Sequence, residues 1–417
     1  MQESGDTISS DLQQKQSTPF VELSIVMPCL NEADTLSSCI EKAQRALLNS
    51  AIAGEVIVAD NGSSDGSPVI ALRLGARVVH VKAPGYGNAL MGGIAAAKGK
   101  YVIMGDADDS YNFLEIPKFV ERLRQGYDLV QGCRLPAGGG TIMPGAMPFL
   151  HRWWGNPMFS FMAQRWFNAP IHDVYCGLRG FTRDLYDDLN LRCTGMEFAP
   201  EMIVKASLYG KKISEVPITL HQDGRTSHAP HLKTYRDGWR TLRFFLIYSP
   251  RWLFYLPGLF LIALGMLGYG LVYSDMDFGG ITFDAHTLLF ASLSVLCGYQ
   301  SVLFAIFSKT FAINEGLLPE DPKLARFFQI TNLERGLILA VAALCLGVFM
   351  LALSVKMWQE TGFGAMDYPR TMRLVIPGAF LTVLGVQTIL SSFFVSILGM
   401  KKVIPRDSSG IGVQRSE

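Results

Sequence analysis

Apolar and polar residues follow two different periods along the first half of the chain. Short apolar runs predict strands at residues 23–27, 55–60, 77–81, 101–105 and 128–132. Between them, apolar residues recur three and four positions apart, most clearly at Ala33, Leu36, Ile40, Ala43 and Leu47. Further helices are predicted near residues 67–74, 87–97 and 115–124. Strands that alternate with helices at this rhythm predict a parallel, doubly wound α/β sheet.

The second half of the chain has a different pattern. Four runs contain no Asp, Glu, Lys or Arg, at residues 252–273, 287–307, 337–355 and 374–399. Each is about the length that a helix needs to cross the ~30 Å hydrocarbon core of a bilayer. A buried core helix is the alternative for any single run. Four such runs together predict four transmembrane helices.

The loops between these runs predict the orientation of the protein. The loop 274–286 contains no Lys or Arg, whereas the loop 308–336 and the tail after residue 400 each contain four. The loop 356–373 contains three, which weakens the contrast. Because positive loops remain on the cytoplasmic side, we expect a multi-pass protein of the inner (plasma) membrane. Both termini and the first half of the chain are then cytoplasmic.

The segment between the two halves predicts an interfacial helix. Residues 235–252 carry Arg236, Arg240 and Arg243 at helical spacing, beside several aromatic residues. Such a helix lies at the headgroup boundary, and a solvated helix leading into the first span is the alternative. The first 20 residues are polar and predict a disordered lead-in without a signal peptide. The resulting segments are 1–20, a folded domain at 21–234, the helix at 235–251, four spans within 252–400 and a cytoplasmic tail at 401–417.

Composition excludes several classes of protein. The net charge of +1 argues against a nucleic-acid partner. Only 18% of the residues are charged and the mean hydropathy is +0.24, which agrees with membrane segments. The seven cysteines are odd in number and no pair has C-x-x-C spacing, so we expect buried or semi-buried free thiols. The sequence leaves open whether the chain forms a homo-oligomer.

Candidate chemistry lies where the predicted strands end. The polar segments there are PCLNE (28–32), DNGSSDG (60–66), KAPGYGN (82–88) and DADD (106–109). The carboxyl ends of parallel strands meet at one edge of a sheet, which is where such sheets bind ligands. Carboxylates gathered at one edge repel each other unless a cation shares the site. Mg²⁺ or Mn²⁺, held by one or two carboxylates and phosphate oxygens, would meet this need.

These four segments together resemble the family 2 glycosyltransferases, which have the GT-A (Rossmann-like) fold. The resemblance implies that Asp106 and Asp108 bind the metal and diphosphate of a nucleotide-sugar donor. It also implies nucleotide contacts from a set of strand-end residues, namely Pro28, Asn31, Glu32, Asp60 and Asp106. The glycine-rich turn is not a G-x-G-x-x-G fingerprint, so dinucleotide binding is disfavoured.

Later motifs resemble the polyprenyl-phosphate glycosyltransferases, the group that includes the dolichol-phosphate mannose and glucose synthases. They are GCR (132–134), HRWWGN (151–156), DVYCGLR (173–179) and EVPI (215–218), the last followed by Arg225. Two features depart from that pattern. Asn156 replaces a serine, and the segment 225–233 lacks a Ser-Lys pair, for which Lys233 or His228 could substitute.

The resemblance implies roles for the later residues. Those expected to bind the acceptor phosphate are Arg134, Arg152, Asn156 and Arg225. Those expected to be catalytic are Asp108, Asp173, Arg134 and Arg225. Asp173 would orient the acceptor or act as a base, with a structural cap or ion pair as the alternative. Arg225 is expected to face the acceptor, beyond the donor-binding strands. Glu197 and Glu201 lie four apart on a predicted helix, where one could face the site, but a solvated helix face is favoured for both.

The resulting hypothesis is an inverting transferase that moves one sugar onto undecaprenyl or dolichyl phosphate. Similarity favours UDP-glucose over GDP-mannose as its donor. A processive polysaccharide synthase is one alternative, but Gln164-Arg165-Trp166 lacks the gap of the Q-x-x-R-W motif and lies too early. A flippase or transport accessory with a degenerate transferase domain is another. The intact D-x-D pair and the scarcity of charges in the spans argue against it.

Overall fold

The computed structural model describes residues 21–227, 233–274, 282–330 and 333–399. It divides the chain into two compact units, Met1–Leu242 and Arg243–Glu417. The predicted disordered lead-in at 1–20, the tail at 401–417 and His228 lie outside the described residues. The two units are described separately below.

The described residues of the first unit form nine strands. They are β1 (Leu23–Cys29), β2 (Gly54–Asp60), β3 (Arg77–His80), β4 (Tyr101–Met104), β5 (Leu129–Cys133), β6 (Thr141–Ile142), β7 (Arg179–Thr182), β8 (Ile213–Pro217) and β9 (Thr219–Leu220). Seven of them form one sheet in the order β3-β2-β1-β4-β7-β5-β8, and β6 pairs with β9 beside it. The five strands predicted from apolar runs are β1 to β5. The four later strands were not predicted.

The direction of β7 corrects one prediction. Strands β1 to β4 are parallel to one another, but β7 is antiparallel to both β4 and β5. The sheet is therefore mixed rather than wholly parallel. Strand β7 joins the sheet after the long segment 134–178, which includes a helix at Asn156–Phe167, and the apolar pattern of the sequence predicted no strand there.

Helices cover both faces of this sheet. They are α1 (Leu36–Asn49), α2 (Ser67–Arg73), α3 (Tyr86–Ala96), α4 (Ile116–Arg124), α5 (Asn156–Phe167), α6 (Arg183–Leu189) and α7 (Phe198–Leu208). The predicted apolar stripe of α1 is buried at Leu36, Ile40 and Leu47, in one cluster with residues of β1 and β4. Helix α3 lies on the opposite face, where its Gly93 packs against Val26. Alternation of side chains along β1 supplies both faces.

Four long apolar helices make up most of the second unit. After α8 (Thr234–Tyr248), which crosses the boundary between the units, come α9 (Leu256–Tyr273), α10 (Ala285–Asn314), α11 (Pro322–Ile330), α12 (Leu333–Glu360) and α13 (Tyr368–Leu398). Helices α9, α10, α12 and α13 are long and apolar enough to cross a membrane. The prediction of a C-terminal unit with four such helices is confirmed.

Small residues and paired hydroxyls join these apolar helices. A side chain at Gly258 of α9 would collide with the backbone of Gly298 in α10, so glycine permits this close packing. Tyr269 and Ser292 share a hydrogen bond of 2.7 Å between α9 and α10. Tyr299 and Thr388 share one of 2.8 Å between α10 and α13. These hydroxyls satisfy each other, as polar groups in an apolar bundle must.

All seven cysteines are free thiols, as predicted. Four are buried in the first unit, at Cys29, Cys39, Cys133 and Cys176, and Cys193 is partly buried. The expectation of burial fails for Cys297 and Cys345, which are exposed on α10 and α12. Both helices were predicted to span the membrane. A free thiol behaves as a small apolar side chain, so it is compatible with a surface that faces lipid.

Candidate active site at the carboxyl ends of the strands

The turns after β1 and β2 are tied together by hydrogen bonds. Asn31 takes a left-handed backbone conformation, with φ of 60°, which Asn tolerates better than most residues. Its backbone N–H donates to Ser63 Oγ at 2.9 Å, and its side-chain oxygen accepts from the Ser64 N–H at 2.8 Å. The predicted nucleotide-binding segments 28–32 and 60–66 therefore form one surface.

Asp60 ends β2 with its carboxylate already engaged. The carboxylate accepts from the Ser63 N–H at 3.0 Å and contacts His80 Nδ1 at 3.1 Å, and the residue is only 4% exposed. Burial alone would raise the pKa of Asp60, but hydrogen bonds from Ser63 and His80 hold it below its usual range. Asp60 is thus a fixed anion at this edge. The exposed side chain of His80, its neighbour in β3, offers a further contact surface that the sequence did not suggest.

Asp106 and Asp108 follow β4 and lie close enough to interact. Burial first, and then repulsion from Asp108, raises the pKa of Asp106 to about 6. The Tyr86 hydroxyl donates to Asp106 Oδ1 at 2.8 Å, and the Ser110 hydroxyl donates to Asp108 Oδ1 at 2.6 Å. The third acid of this segment, Asp109, turns away and pairs with Lys42 at 2.6 Å. Two carboxylates of the three therefore form the anionic part of the site.

The donor set of Asp106 and Asp108 limits the kind of metal ion that this edge could hold. Within the described ranges, no group of three or more His, Cys, Asp or Glu side chains could hold a metal ion. These residues therefore do not fit a metal ion that is held by protein side chains alone. Two oxygen ligands fit a hard divalent cation that completes its shell with phosphate oxygens and water. The repulsion between the two carboxylates favours such a cation.

Arg225 lies against the strand ends, which corrects its predicted position beyond them. Its Nε and Nη2 donate to the two oxygens of Glu32 at 2.7 and 2.6 Å. Its Nη1 donates to Asp223 at 2.6 Å and lies 3.4 Å from Asp108 Oδ2. Hydrogen bonds from the Gly224 N–H to the Asp108 carbonyl, at 3.0 Å, hold the segment there. Arg225 thus joins the ends of β1 and β4 instead of facing away from them.

Asp34 fixes the residues that follow Arg225. One of its carboxylate oxygens accepts from the Thr226 N–H and hydroxyl, both at 3.0 Å, and from the Ser227 N–H at 2.9 Å. These hydrogen bonds, with Thr226 first, hold the pKa of Asp34 well below its usual range. Residues 226–227 are therefore attached to the turn just before α1 as well as to the strand ends.

Arg134 and Asp173 form a buried, bidentate ion pair. The Asp173 carboxylate accepts from Arg134 Nε at 2.7 Å, from Nη2 at 2.9 Å and from the backbone N–H at 3.0 Å. The side chain of Asp173 is 0% exposed and that of Arg134 is 10% exposed. With both oxygens engaged, Asp173 has the geometry of the structural alternative, an ion pair, rather than of a free base.

Tyr111 links this ion pair to the edge that carries Asp106 and Asp108. Its hydroxyl oxygen accepts from Arg134 Nη1 at 3.4 Å and from the Gly177 N–H at 2.9 Å. A side chain at Gly177 would collide with Asp106 Oδ2, so this loop lies directly beside the Asp106 carboxylate. The structure therefore brings Arg134, Asp173, Asp106, Asp108 and Arg225 together. Tyr86 and Tyr111 were missed because a lone tyrosine in a turn carries no recognisable signal.

Arg152 and Asn156 make contacts of a different kind. Arg152 lies on a π-helical turn, His151–Gly155, with its guanidinium 5.6 Å from the Trp153 ring centre. Asn156 is 8% exposed and its amide contacts Met147 Sδ at 3.3 Å. In the described parts of the chain, no hydrogen bond or ion pair joins either residue to Arg134 or Arg225. Their predicted role at the acceptor phosphate therefore has no support from contacts within the protein.

An exposed aromatic surface surrounds Arg152. It consists of Phe149, Trp153, Trp154 and Phe161, each between 61% and 73% exposed. The same turn is joined to the start of α8 by a 2.9 Å hydrogen bond between His151 Nε2 and Thr234 Oγ1. Adjacent exposed aromatics on a folded domain usually mark an interaction site. Sequence reasoning missed this surface, although the adjacent Trp153 and Trp154 could have signalled it.

One predicted solvated face proves to be buried. Glu201 is 0% exposed and pairs with Lys205, one turn further along α7, at 2.8 Å. Its carboxylate also accepts the Cys193 N–H at 2.8 Å. The prediction for Glu201 is therefore wrong. Acids and lysines four apart are typical of exposed helix faces, and the sequence does not reveal that a loop folds over this one.

Comparisons with known proteins identify the family. Residues 24–189 match the glycosyl transferase family 2 model, and residues 306–399 match the glycosyltransferase family 2 C-terminal transmembrane region. The low-salt glycan biosynthesis hexosyltransferase Agl6 of Haloferax volcanii is 37% identical over 379 residues, which cover 90% of this chain and 89% of that protein. The chain therefore belongs to glycosyltransferase family 2 and is a membrane protein.

Two other relatives match about half of this chain. A dolichyl-phosphate hexose transferase of Haloferax volcanii is 34% identical over 48% of this chain and 82% of its own length. An undecaprenyl-phosphate 4-deoxy-4-formamido-L-arabinose transferase of Salmonella choleraesuis is 25% identical over 48% of this chain and 60% of its own length. The solved glucosyl-3-phosphoglycerate synthase of Mycobacterium tuberculosis covers 55% of this chain and 80% of its own, with 22% identity and a TM-score of 0.43.

Proposed function

We propose that this protein is an inverting hexosyltransferase that moves one sugar from a nucleotide sugar to a polyprenyl phosphate at the cytoplasmic face of the membrane. One observation carries the proposal. The guanidinium groups of Arg134 and Arg225 lie within electrostatic reach of Asp106. Burial raises the pKa of Asp106, and these two positive charges act in the opposite direction and lower it. A site with a cation-binding anionic pair beside two arginines suits the meeting of a donor diphosphate and an acceptor phosphate.

The donor half of the site is the edge formed by β1, β2 and β4. Asp106 and Asp108 would hold Mg²⁺ or Mn²⁺, which when bound neutralises the diphosphate and stabilises it as a leaving group. Pro28, Asn31 and Asp60 would contact the nucleotide. Glu32 has a different proposed role from the one that the resemblance implied. Both of its oxygens are engaged by Arg225, so we assign it to holding that arginine.

The acceptor half of the site would be formed by Arg134 together with Arg225, which also contacts Asp108 of the donor half. A phosphate monoester has a second pKa of about 6, so at neutral pH it is largely dianionic and is itself the nucleophile. It needs cations to bring it near a negatively charged donor more than it needs a base. Asp173 would hold the Arg134 guanidinium in place. Arg152 and Asn156 were predicted to bind the same phosphate, but no contact in the described chain supports that role.

The membrane side supports a lipid acceptor over a soluble one. The exposed aromatic surface at Phe149, Trp153, Trp154 and Phe161 suits the headgroup boundary of a bilayer, where aromatic side chains are enriched. Trp239 in α8 is 60% exposed and Arg243 is exposed on the same helix, as an interfacial helix requires. The loop charges favour the cytoplasmic side for this domain and for both termini.

The names of the relatives agree with this substrate class. One is a dolichyl-phosphate hexose transferase and another an undecaprenyl-phosphate transferase. Their names support a polyprenyl phosphate as acceptor, and Agl6 supports a hexose as the transferred sugar. We propose UDP-glucose as the first donor to test and GDP-mannose as the second.

The test compares acceptors that differ only in the phosphate. Purified protein in detergent, with Mn²⁺ and a radiolabelled nucleotide sugar, is given either a polyprenyl phosphate or the same polyprenol without phosphate. We expect label in the organic phase only with the phosphate. Equal labelling of the polyprenol would contradict the role of the arginines. Label retained in a water-soluble polymer would support the alternative of a polysaccharide synthase, and no transfer with any donor would support an accessory protein.

A further inference from the structure

The glycine-rich turn after β3 holds a tyrosine against the metal-binding edge. Tyr86 is the first residue of α3, and its hydroxyl donates to Asp106 Oδ1 at 2.8 Å. On the other side of the carboxylate, any side chain at Gly177 would collide with Asp106 Oδ2. Asp106 is therefore confined between a hydrogen-bond donor and a glycine. Its orientation depends on where Tyr86 is held.

The position of Tyr86 is set by the backbone of residues 193–194. The N–H groups of Gly87 and Asn88 donate to the Thr194 carbonyl at 2.9 and 3.3 Å. Side chains at Gly85 or Gly87 would collide with the Thr194 and Cys193 carbonyl oxygens, and Gly85 has a φ of 133°. The two glycines that flank Tyr86 thus allow α3 to begin directly against this loop.

A buried ion pair on α7 in turn holds that loop. Glu201 accepts the Arg192 N–H at 3.0 Å and the Cys193 N–H at 2.8 Å. Lys205, also 0% exposed, bonds Glu201 at 2.8 Å and the Asn190 carbonyl at 2.8 Å. Burying two charges is costly, so such a pair is a poor source of stability by itself. Here it fixes the backbone on which the first turn of α3 rests.

We propose that Tyr86 is a positioning residue that holds Asp106 in the orientation needed for metal-dependent binding of the donor diphosphate. Glu201 and Lys205 support it through residues 192–194. The inference rests on the proposed function only in that the donor is a nucleotide with a metal ion. It does not depend on which acceptor the enzyme uses.

The first experiment measures nucleotide binding instead of transfer. Calorimetry on the full-length protein in detergent follows UDP, and separately GDP, with and without Mn²⁺, for wild type, Tyr86→Phe and Tyr101→Phe. Tyr101 is the matched control, because it is a buried tyrosine at the opposite end of β4 from Asp106. We expect Tyr86→Phe to weaken Mn²⁺-dependent binding at least about tenfold, the loss typical of one hydrogen bond to a charged group. Binding without Mn²⁺ should change less than about twofold, and Tyr101→Phe should match wild type.

The second experiment tests the link to α7. Glu201→Gln keeps the size of the side chain but removes the charge that holds residues 192–193. Because it also leaves Lys205 buried without its counter-ion, affinity is measured at a temperature where thermal unfolding shows that the variant is folded. We expect it to reduce Mn²⁺-dependent affinity in the same sense as Tyr86→Phe. In the double variant the total loss of affinity should be smaller than the sum of the two single losses, because both substitutions act on one contact. A fully additive loss would overturn the link.

The outcomes separate this inference from the proposed function. Equal loss of nucleotide affinity with and without Mn²⁺ in Tyr86→Phe would show a general structural role and overturn the inference. An unchanged Mn²⁺-dependent affinity would overturn it as well. A wild-type protein that binds nucleotide with Mn²⁺ but transfers nothing to polyprenyl phosphate would contradict the proposed function alone. In that case the comparison of Tyr86→Phe with Tyr101→Phe would still decide the inference.

Discussion

Replacing Asp173 by Asn should destabilise the first unit strongly. The substitution keeps the size of the side chain but removes the negative charge that faces Arg134. The Asp173 carboxylate accepts three hydrogen bonds from Arg134, at 2.7, 2.9 and 3.0 Å. The side chains are 0% and 10% exposed, so little water can replace the lost charge. Arginine cannot release its proton, and the variant therefore buries an unbalanced positive charge.

The size of the effect follows from that geometry. Removing one partner of a buried ion pair costs about 3–5 kcal/mol. For a domain of roughly 150–250 residues, 1 kcal/mol lowers the melting temperature by about 2–4 °C, so we expect a loss of about 6–20 °C. The control is Asp188→Asn, which removes the partner of Lys211 from a pair whose aspartate side chain is 55% exposed. An exposed pair contributes about 0–1 kcal/mol, so this control should melt close to wild type.

The assay is thermal unfolding of the full-length protein in detergent, together with transfer activity. The double variant Arg134→Met/Asp173→Leu should recover most of the lost stability, because no charge is then buried. Its transfer activity should remain lost, because Arg134 is absent. If Asp173→Asn melts like Asp188→Asn while transfer is abolished, our reasoning is refuted. Asp173 would then act on the substrate directly, as a base or an orienting group.

The other predictions concern the edge of the sheet and the topology. Asp108→Asn should abolish transfer without lowering the melting temperature, and near wild-type turnover would exclude it as a metal ligand. Because the pKa of Asp106 rises from 3.8 to about 6, the folded state is penalised above pH 6 but not below 3.8. Without nucleotide, the Asp106→Asn variant should therefore have a higher melting temperature than wild type at pH 7.5 and the same melting temperature near pH 4. Equal melting temperatures at both pH values would contradict this. Arg225→Ala should weaken Mn²⁺-dependent nucleotide binding as well as lipid use. Loss of lipid use alone would support the prediction from sequence that Arg225 faces only the acceptor. A C-terminal tag should be cleaved by protease from the cytoplasmic side, and its protection there would refute the topology.

Local patterns predicted those parts of the fold that local forces determine. Strands β1 to β5 are short apolar runs. Asp60 ends β2, and Asp106 and Asp108 come just after β4, so the edge of the sheet that carries the site could be predicted from local pattern. The sequence RGFT of β7 has no comparable apolar run. The loop before it is held by the Arg134–Asp173 ion pair, which joins residues 39 positions apart in the chain. Such a long-range constraint is not visible in the spacing of residues.

The contacts between distant segments account for the errors in the site. Arg225 follows Glu32 by 193 residues, and no local pattern shows that the chain returns to the end of β1. Glu201 and Lys205 have the spacing of an exposed pair, and only the loop that covers them makes them buried. Residue types at strand ends were therefore predictable, whereas the pairing of one such residue with another was not.

The most direct test of the account is the mass of the lipid product. Full-length protein is reconstituted with a polyprenyl phosphate, Mn²⁺ and UDP-glucose or GDP-mannose, and the extracted lipids are analysed by mass spectrometry. The account predicts a single new species, heavier than the acceptor by one hexose, and none with Asp108→Asn. A ladder of several hexoses, or unmodified acceptor with every nucleotide sugar supplied, would contradict it.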